Sequence, residues 1–203
     1  MGSTINELRF RKMSCRGLIL LFVLSHLGAA SACGADFDFD WRFYKGDSPS
    51  AMMPGFDDSA WRTVNLPHDW SVEGPFGAEY ASGTGYAPGG IGWYRKHFEV
   101  DAAHKGRLVA IDFDGVYNNS EVWINGHFVG RRPCGYSSFR YDLTDHIKHG
   151  SADNVVAVRV DHTKFADSRW YTGSGIYRHV RLHITDRLHL GHWGVFVTTP
   201  QVS

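Results

Sequence analysis

Past residue 35 helical periodicity is almost absent, and apolar and polar positions alternate with a period of two instead. The alternating runs are 93–100, 107–113, 120–124, 127–131, 154–161 and 178–184, separated by Gly, Pro, Asn and Asp. Successive side chains of an extended chain point to opposite faces, so each run predicts a strand with one covered face. Within 120–124 the pattern goes further: Val122 and Ile124 share one face, and Trp123 takes the other. A strand apolar on both faces is covered on both sides or lines an interface. Asn125-Gly126 falls between two such runs and predicts a two-residue type I′ turn, whose central residues both need positive φ. Residues 139–142 read as a strand end, and 143–147 as a short helical turn with Thr144 or Asp145 as its cap.

Many short strands joined by turns predict an all-β, jelly-roll-like β-sandwich. The stretch 47–92 departs from this pattern. It is rich in Gly, Pro and Trp and has weak periodicity, the profile of a long loop that packing or function holds in place. The 187–203 stretch contains one further alternating run, and a lone strand cannot bury itself.

The first 33 residues follow a different logic. Arg9, Arg11, Lys12 and Arg16 precede an apolar run at 17–28, and Ala30-Ser31-Ala32 follows it. A basic head, an apolar centre and a small-residue box make a helical secretory signal peptide. The apolar run is too short for a membrane span. The expected organisation is therefore a leader at 1–33, a β-sandwich at 34–186 and the start of another domain at 187–203. Cys33 directly follows the box, where a lipid anchor would be attached if the leader is of the lipoprotein kind; Ala30 stands where such leaders usually carry Leu. The expected location is periplasmic or extracellular, with membrane attachment only through a lipidated Cys33.

Composition narrows the chemistry. Lys plus Arg (21) equals Asp plus Glu (21), so there is no field to draw in nucleic acid. The twelve histidines show no metal-ligand spacing, and no metal or cofactor is expected. Cys15 lies in the leader, and Cys33 and Cys134 are far apart, so a disulfide framework is not expected.

Four ordered motifs carry a family likeness. They are the segment from Phe56 to Trp61 with Val64 to Trp70, then Gly92 to Lys96 with Phe98. Phe113 to Val116 leading to Glu121–Gly126 comes next, and Ser168 to Tyr171 with Gly173 to Arg178 is last. Together they resemble the opening domain of family 2 glycoside hydrolases, and the Ser-Arg-Trp-Tyr form looks most like the β-galactosidase group. The resemblance implies a galactose-binding-domain-like jelly roll, then an immunoglobulin-like domain, then a (β/α)₈ barrel bearing two glutamates. A retaining mechanism needs two carboxyls about 5–5.5 Å apart. Glu73, Glu79, Glu99 and Glu121 match neither, so no residue here is assigned to catalysis and the chain alone is expected to be inactive. It would act with the other domains of an exported β-galactosidase-like enzyme. The alternatives are a stand-alone carbohydrate-binding module and a truncated gene product without independent function.

The resemblance also places sugar contacts at Asp167, Arg169 and Trp170. A carboxylate accepts hydroxyl protons, a guanidinium donates in a planar fork, and an indole covers the apolar face of a pyranose. The structural alternative is an internal Asp–Arg pair with Trp170 as a core anchor. In the loop 83–92 the family's sugar-contacting Asn has no counterpart, and its glycines read as a tight turn. His68-Asp69-Trp70 reads as structural, since neighbours on an extended chain point apart. Asn118-Asn119-Ser120 fits a glycosylation sequon at a strand edge and is given no role.

Overall fold

The computed structural model describes residues 34–164 and 168–201. The leader at 1–33, Cys33 and Asp167 lie outside the described residues.

Ten strands form: β1 Gly34–Asp36, β2 Trp41–Lys45, β3 Arg62–Val64, β4 Gly90–Val100, β5 Leu108–Phe113, β6 Ser120–Ile124, β7 His127–Arg132, β8 Phe139–Asp142, β9 Gly150–His162 and β10 Val180–Thr185. They pair antiparallel into a four-stranded sheet, β1-β10-β5-β8, and a six-stranded sheet, β3-β2-β4-β9-β6-β7. The six alternating runs up to residue 184 are strands, and β4 and β9 extend several residues beyond them, but the further alternating run after residue 187 forms no strand among the described residues. The result is a β-sandwich in which neighbours in the sheet are often distant in the chain.

The inner faces meet in one core. Trp41, Phe43 and Tyr94 from one sheet pack with Ile111, Phe113 and Leu182 from the other, and Val122, Ile124, Val156 and Val158 complete it. Val122 and Ile124 are fully buried, as the alternation requires. Asn125 and Gly126 both have positive φ, 50° and 86°, which makes the type I′ turn between β6 and β7. The Asn125 amide also secures the turn, donating to the His146 carbonyl (2.7 Å) and accepting from the Val155 N–H (2.9 Å). At 144–146 the turn is 3₁₀, and neither expected residue caps it: Asp142 accepts from the Thr144 N–H at 2.9 Å.

Trp123 explains the irregular stretch at 47–61. Its ring stacks on Trp93 at 5.4 Å on the outer face of the six-stranded sheet. Ala51, Met52, Phe56 and Trp61 close over this face and make a second, smaller apolar cluster. Arg95, fully buried on β4, fastens the cover. It pairs with Asp58 at 2.7 Å and donates to the carbonyls of Ala51, Met53, Pro54 and Phe56. This first part of the long irregular stretch is therefore held by packing.

Candidate functional site

The loops 65–90 and 168–176 interlock through three features. The Gly83 α-carbon comes so close to the Ser168 carbonyl that a Cβ would sit 2.5 Å from it. The Asp69 carboxylate accepts from the Ser71 N–H (2.9 Å), the Ser174 N–H (2.8 Å) and the Tyr171 hydroxyl (2.5 Å). Beneath them a buried chain joins His162 Nδ1 to Ser174 Oγ (2.6 Å), Ser174 to Ser71 Oγ (2.6 Å), and Ser71 to the Pro88 carbonyl (2.7 Å). Two loops remote in sequence thus share one set of hydrogen bonds.

His162 and Ser174 have the identities of a nucleophilic pair but not its setting. Ser174 is completely buried and its hydroxyl is committed on both sides, so no substrate atom can reach it. The tripeptide at 68–70 is structural. Trp70 is buried, and its indole N–H donates to the Gly89 carbonyl at 3.2 Å. His68 Nδ1 meets the Tyr94 hydroxyl at 2.7 Å, and its Nε2 lies 3.2 Å from Glu73. Burial holds His68 below the usual imidazole range, against the opposing pull of Glu73.

Arg169 is exposed and makes no hydrogen bond or ion pair among the described residues. Trp170 is 61% exposed, so it does not anchor the core. Its indole N–H nevertheless donates to the Tyr136 hydroxyl at 3.0 Å. Tyr136 packs edge-on against Tyr117 at 5.4 Å, and Tyr117 against His162 at 5.1 Å. Tyr171, 44% exposed, adds a second accessible ring. The arrangement is a bare aromatic surface on a fixed footing, with a guanidinium beside it. Such a surface can cover the apolar face of a sugar while polar groups take its hydroxyls. The contacts Trp170–Tyr136 and Tyr171–Asp69 escape sequence reading because they span 34 and 102 residues and leave no periodic trace.

Tyr171 offers a local check on this geometry. Burial and the Asp69 carboxylate that accepts its proton push its phenol well above the usual range. Above about pH 10 the unfolded chain releases this proton first, so stability falls as pH rises through that window. Asp69→Asn removes the charge. Tyr171 should then ionise at lower pH, seen in the ultraviolet absorbance of phenolate, and alkaline destabilisation should be shallower than in the parent. Identical titrations of parent and variant would show that the contact does not operate in solution.

Among the described residues, no group of three or more His, Cys, Asp or Glu is placed to hold a metal ion, and no helix is long and apolar enough to cross a membrane. Cys134 is free and exposed.

The antiparallel sheets, with the candidate contacts in loops outside them, define a β-sandwich domain. Residues 36–186 match the family model described as "Glycosyl hydrolases family 2, sugar binding domain", and the chain belongs to glycoside hydrolase family 2. The β-galactosidase BoGH2A of Bacteroides ovatus is 55% identical over 83% of the chain and 20% of its own length. A β-glucuronidase of Formosa agariphila is 34% identical over 76% of the chain and 17% of its own length. A solved family 2 glycosyl hydrolase of Bacteroides cellulosilyticus superposes with a TM-score of 0.79 at 47% identity, over 82% of the chain and 22% of that protein. The chain thus spans about a fifth of the length of the relatives it matches.

Proposed function

We propose that residues 34–186 are the galactose-binding-domain-like jelly roll of an exported β-galactosidase-type hydrolase, and that the loop 167–171 helps hold its terminal sugar. The observation that carries this reading is Trp170. It is a large aromatic left mostly bare, yet its orientation is set by the hydrogen bond to Tyr136. Arg169 stands next to it with its donors uncommitted among the described residues, and Asp167 would supply an acceptor. Hydrolysis would fall to the catalytic pair on another domain of the enzyme. The stretch 187–203 fits the opening of an immunoglobulin-like domain, because Leu188, Leu190, Phe196 and Val197 follow β10 with their side chains almost wholly exposed. The leader at 1–33 would carry the domain to the periplasm or beyond, and Cys33 would anchor it if lipidated.

Calorimetric titration of the chain with a β-galactoside tests the sugar contact. Trp170→Ala should weaken binding about fivefold, the loss of roughly 1 kcal/mol of aromatic contact. Tyr136→Phe keeps the ring but frees the indole, and should weaken binding by less. Unchanged affinity in Trp170→Ala, with an unchanged melting temperature, would sink the assignment. A chromogenic galactoside should not be turned over by this chain, and turnover abolished by Asp167→Ala would overturn the division of labour.

A further inference from the structure

A cavity of about 380 Å³ opens where β2 ends, β4 begins and β9 runs out. That volume lies within the roughly 300–1,000 Å³ of small-molecule sites, and exceeds what a simple anion fills. Its walls divide by chemistry. Ala87 and Pro88 give an apolar surface, and Thr84 and Thr163 line the same space. Both threonines spend their protons inside the protein, Thr84 on the Ala81 carbonyl and Thr163 on Asp161, so each hydroxyl oxygen is left as an acceptor. Lys45 and Lys164 also line the cavity, and among the described residues none that lines it is acidic.

Among the described residues neither ammonium has a hydrogen-bond or ion-pair partner. Lys45 feels Glu73, but that carboxylate is held by Arg62 at 2.6 Å and lies 3.2 Å from His68. Partial burial already disfavours the Lys45 charge, so an anion beside it would restore what water no longer supplies. Two cations, hydroxyl acceptors and an apolar wall together match one class of ligand. A saccharide would place its C–H face on Pro88 and its hydroxyls on the threonines, with an acidic substituent at the lysines.

We propose that this cavity is a further carbohydrate subsite, which holds a saccharide bearing a carboxylate or sulfate group between Lys45 and Lys164. It goes beyond the reading of Trp170 and needs neither Arg169 nor Trp170.

The test is a backbone-amide NMR titration of the 203-residue chain at constant ionic strength. The probes are glucuronic acid, galactose 6-sulfate, neutral galactose, sodium acetate and sodium sulfate. Both acidic sugars should shift the amides of Lys45, Gly90, Thr163 and Lys164 to saturation, and the tighter of the two identifies the preferred group. Galactose and the simple anions should bind there at least tenfold more weakly. Lys45→Gln and Lys164→Gln should each weaken the acidic sugars about tenfold, the scale of a lost charged hydrogen bond. Neither lysine side chain makes a hydrogen bond or ion pair among the described residues, so the variants should keep the parent's melting temperature. Equal shifts with galactose would refute the anionic requirement. Equal affinity for acetate or sulfate would refute the saccharide, and unaffected variants would refute the lysines. Shifts at 169–171 report on Trp170 separately, so the two readings fail independently.

Discussion

Arg95→Met is expected to lower the unfolding free energy by about 3–5 kcal/mol, the cost of breaking a buried charged network from one side. Arg95 is fully buried, and its partner Asp58 is nearly so. The guanidinium pairs with that carboxylate at 2.7 Å and also serves four carbonyls of the segment 51–56. Methionine replaces much of the volume but none of the donors. The carbonyls would lose their partner, and Asp58 would keep only the His97 Nε2 contact at 3.1 Å. Urea denaturation gives the magnitude, and limited proteolysis should find 47–60 opened first. Adding Asp58→Asn removes the stranded charge, so the double variant should recover part of the loss. If the double variant loses the full sum of both singles, the charge is not what makes Arg95 necessary.

Arg95 also shows where the sequence stops being legible. The strands could be read because alternation is local: whether Val122 and Ile124 point inward is settled within five residues. The type I′ turn was equally local, since positive φ at Asn125 and Gly126 is a property of those two residues. Arg95 lies on the same face of β4 as Trp93, and a charge there reads as solvent-facing until its cover is known. That cover is the segment 47–61, which has no period because it packs as irregular chain. Trp93 and Trp123 on outward positions were the one available hint that a cover exists. The candidate site divides the same way. Its Ser-Arg-Trp-Tyr stretch was found by likeness to a family. What holds it in place was not, because Tyr136, Asp69 and Ser71 reach it across long loop closures that no sequence pattern encodes.

Gly175→Ala should be the most damaging single-methyl addition near the site, costing about 2–5 kcal/mol. Gly175 has φ 121°, and a Cβ there would lie 2.3 Å from the Tyr94 hydroxyl and 2.7 Å from the His68 carbonyl. Tyr94 is fully buried and bonded to His68 Nδ1, and the carbonyl is backbone, so neither can step aside. Overpacking of this kind costs about 1–3 kcal/mol, and an L-residue forced to positive φ adds roughly 1–2 kcal/mol. The sum, about 2–5 kcal/mol, corresponds to a melting temperature lower by roughly 4–20 °C. Gly175 also exchanges both backbone hydrogen bonds with Tyr117, at 2.8 and 2.9 Å. A shift there would disturb the ring that carries Tyr136, and through it Trp170. Gly106→Ala is the matched control, with φ 87° but nothing within 4 Å of its added carbon. It should show the backbone strain alone. Equal losses for the two variants would mean that strain rather than contact sets the requirement at 175, and that Tyr94 can yield.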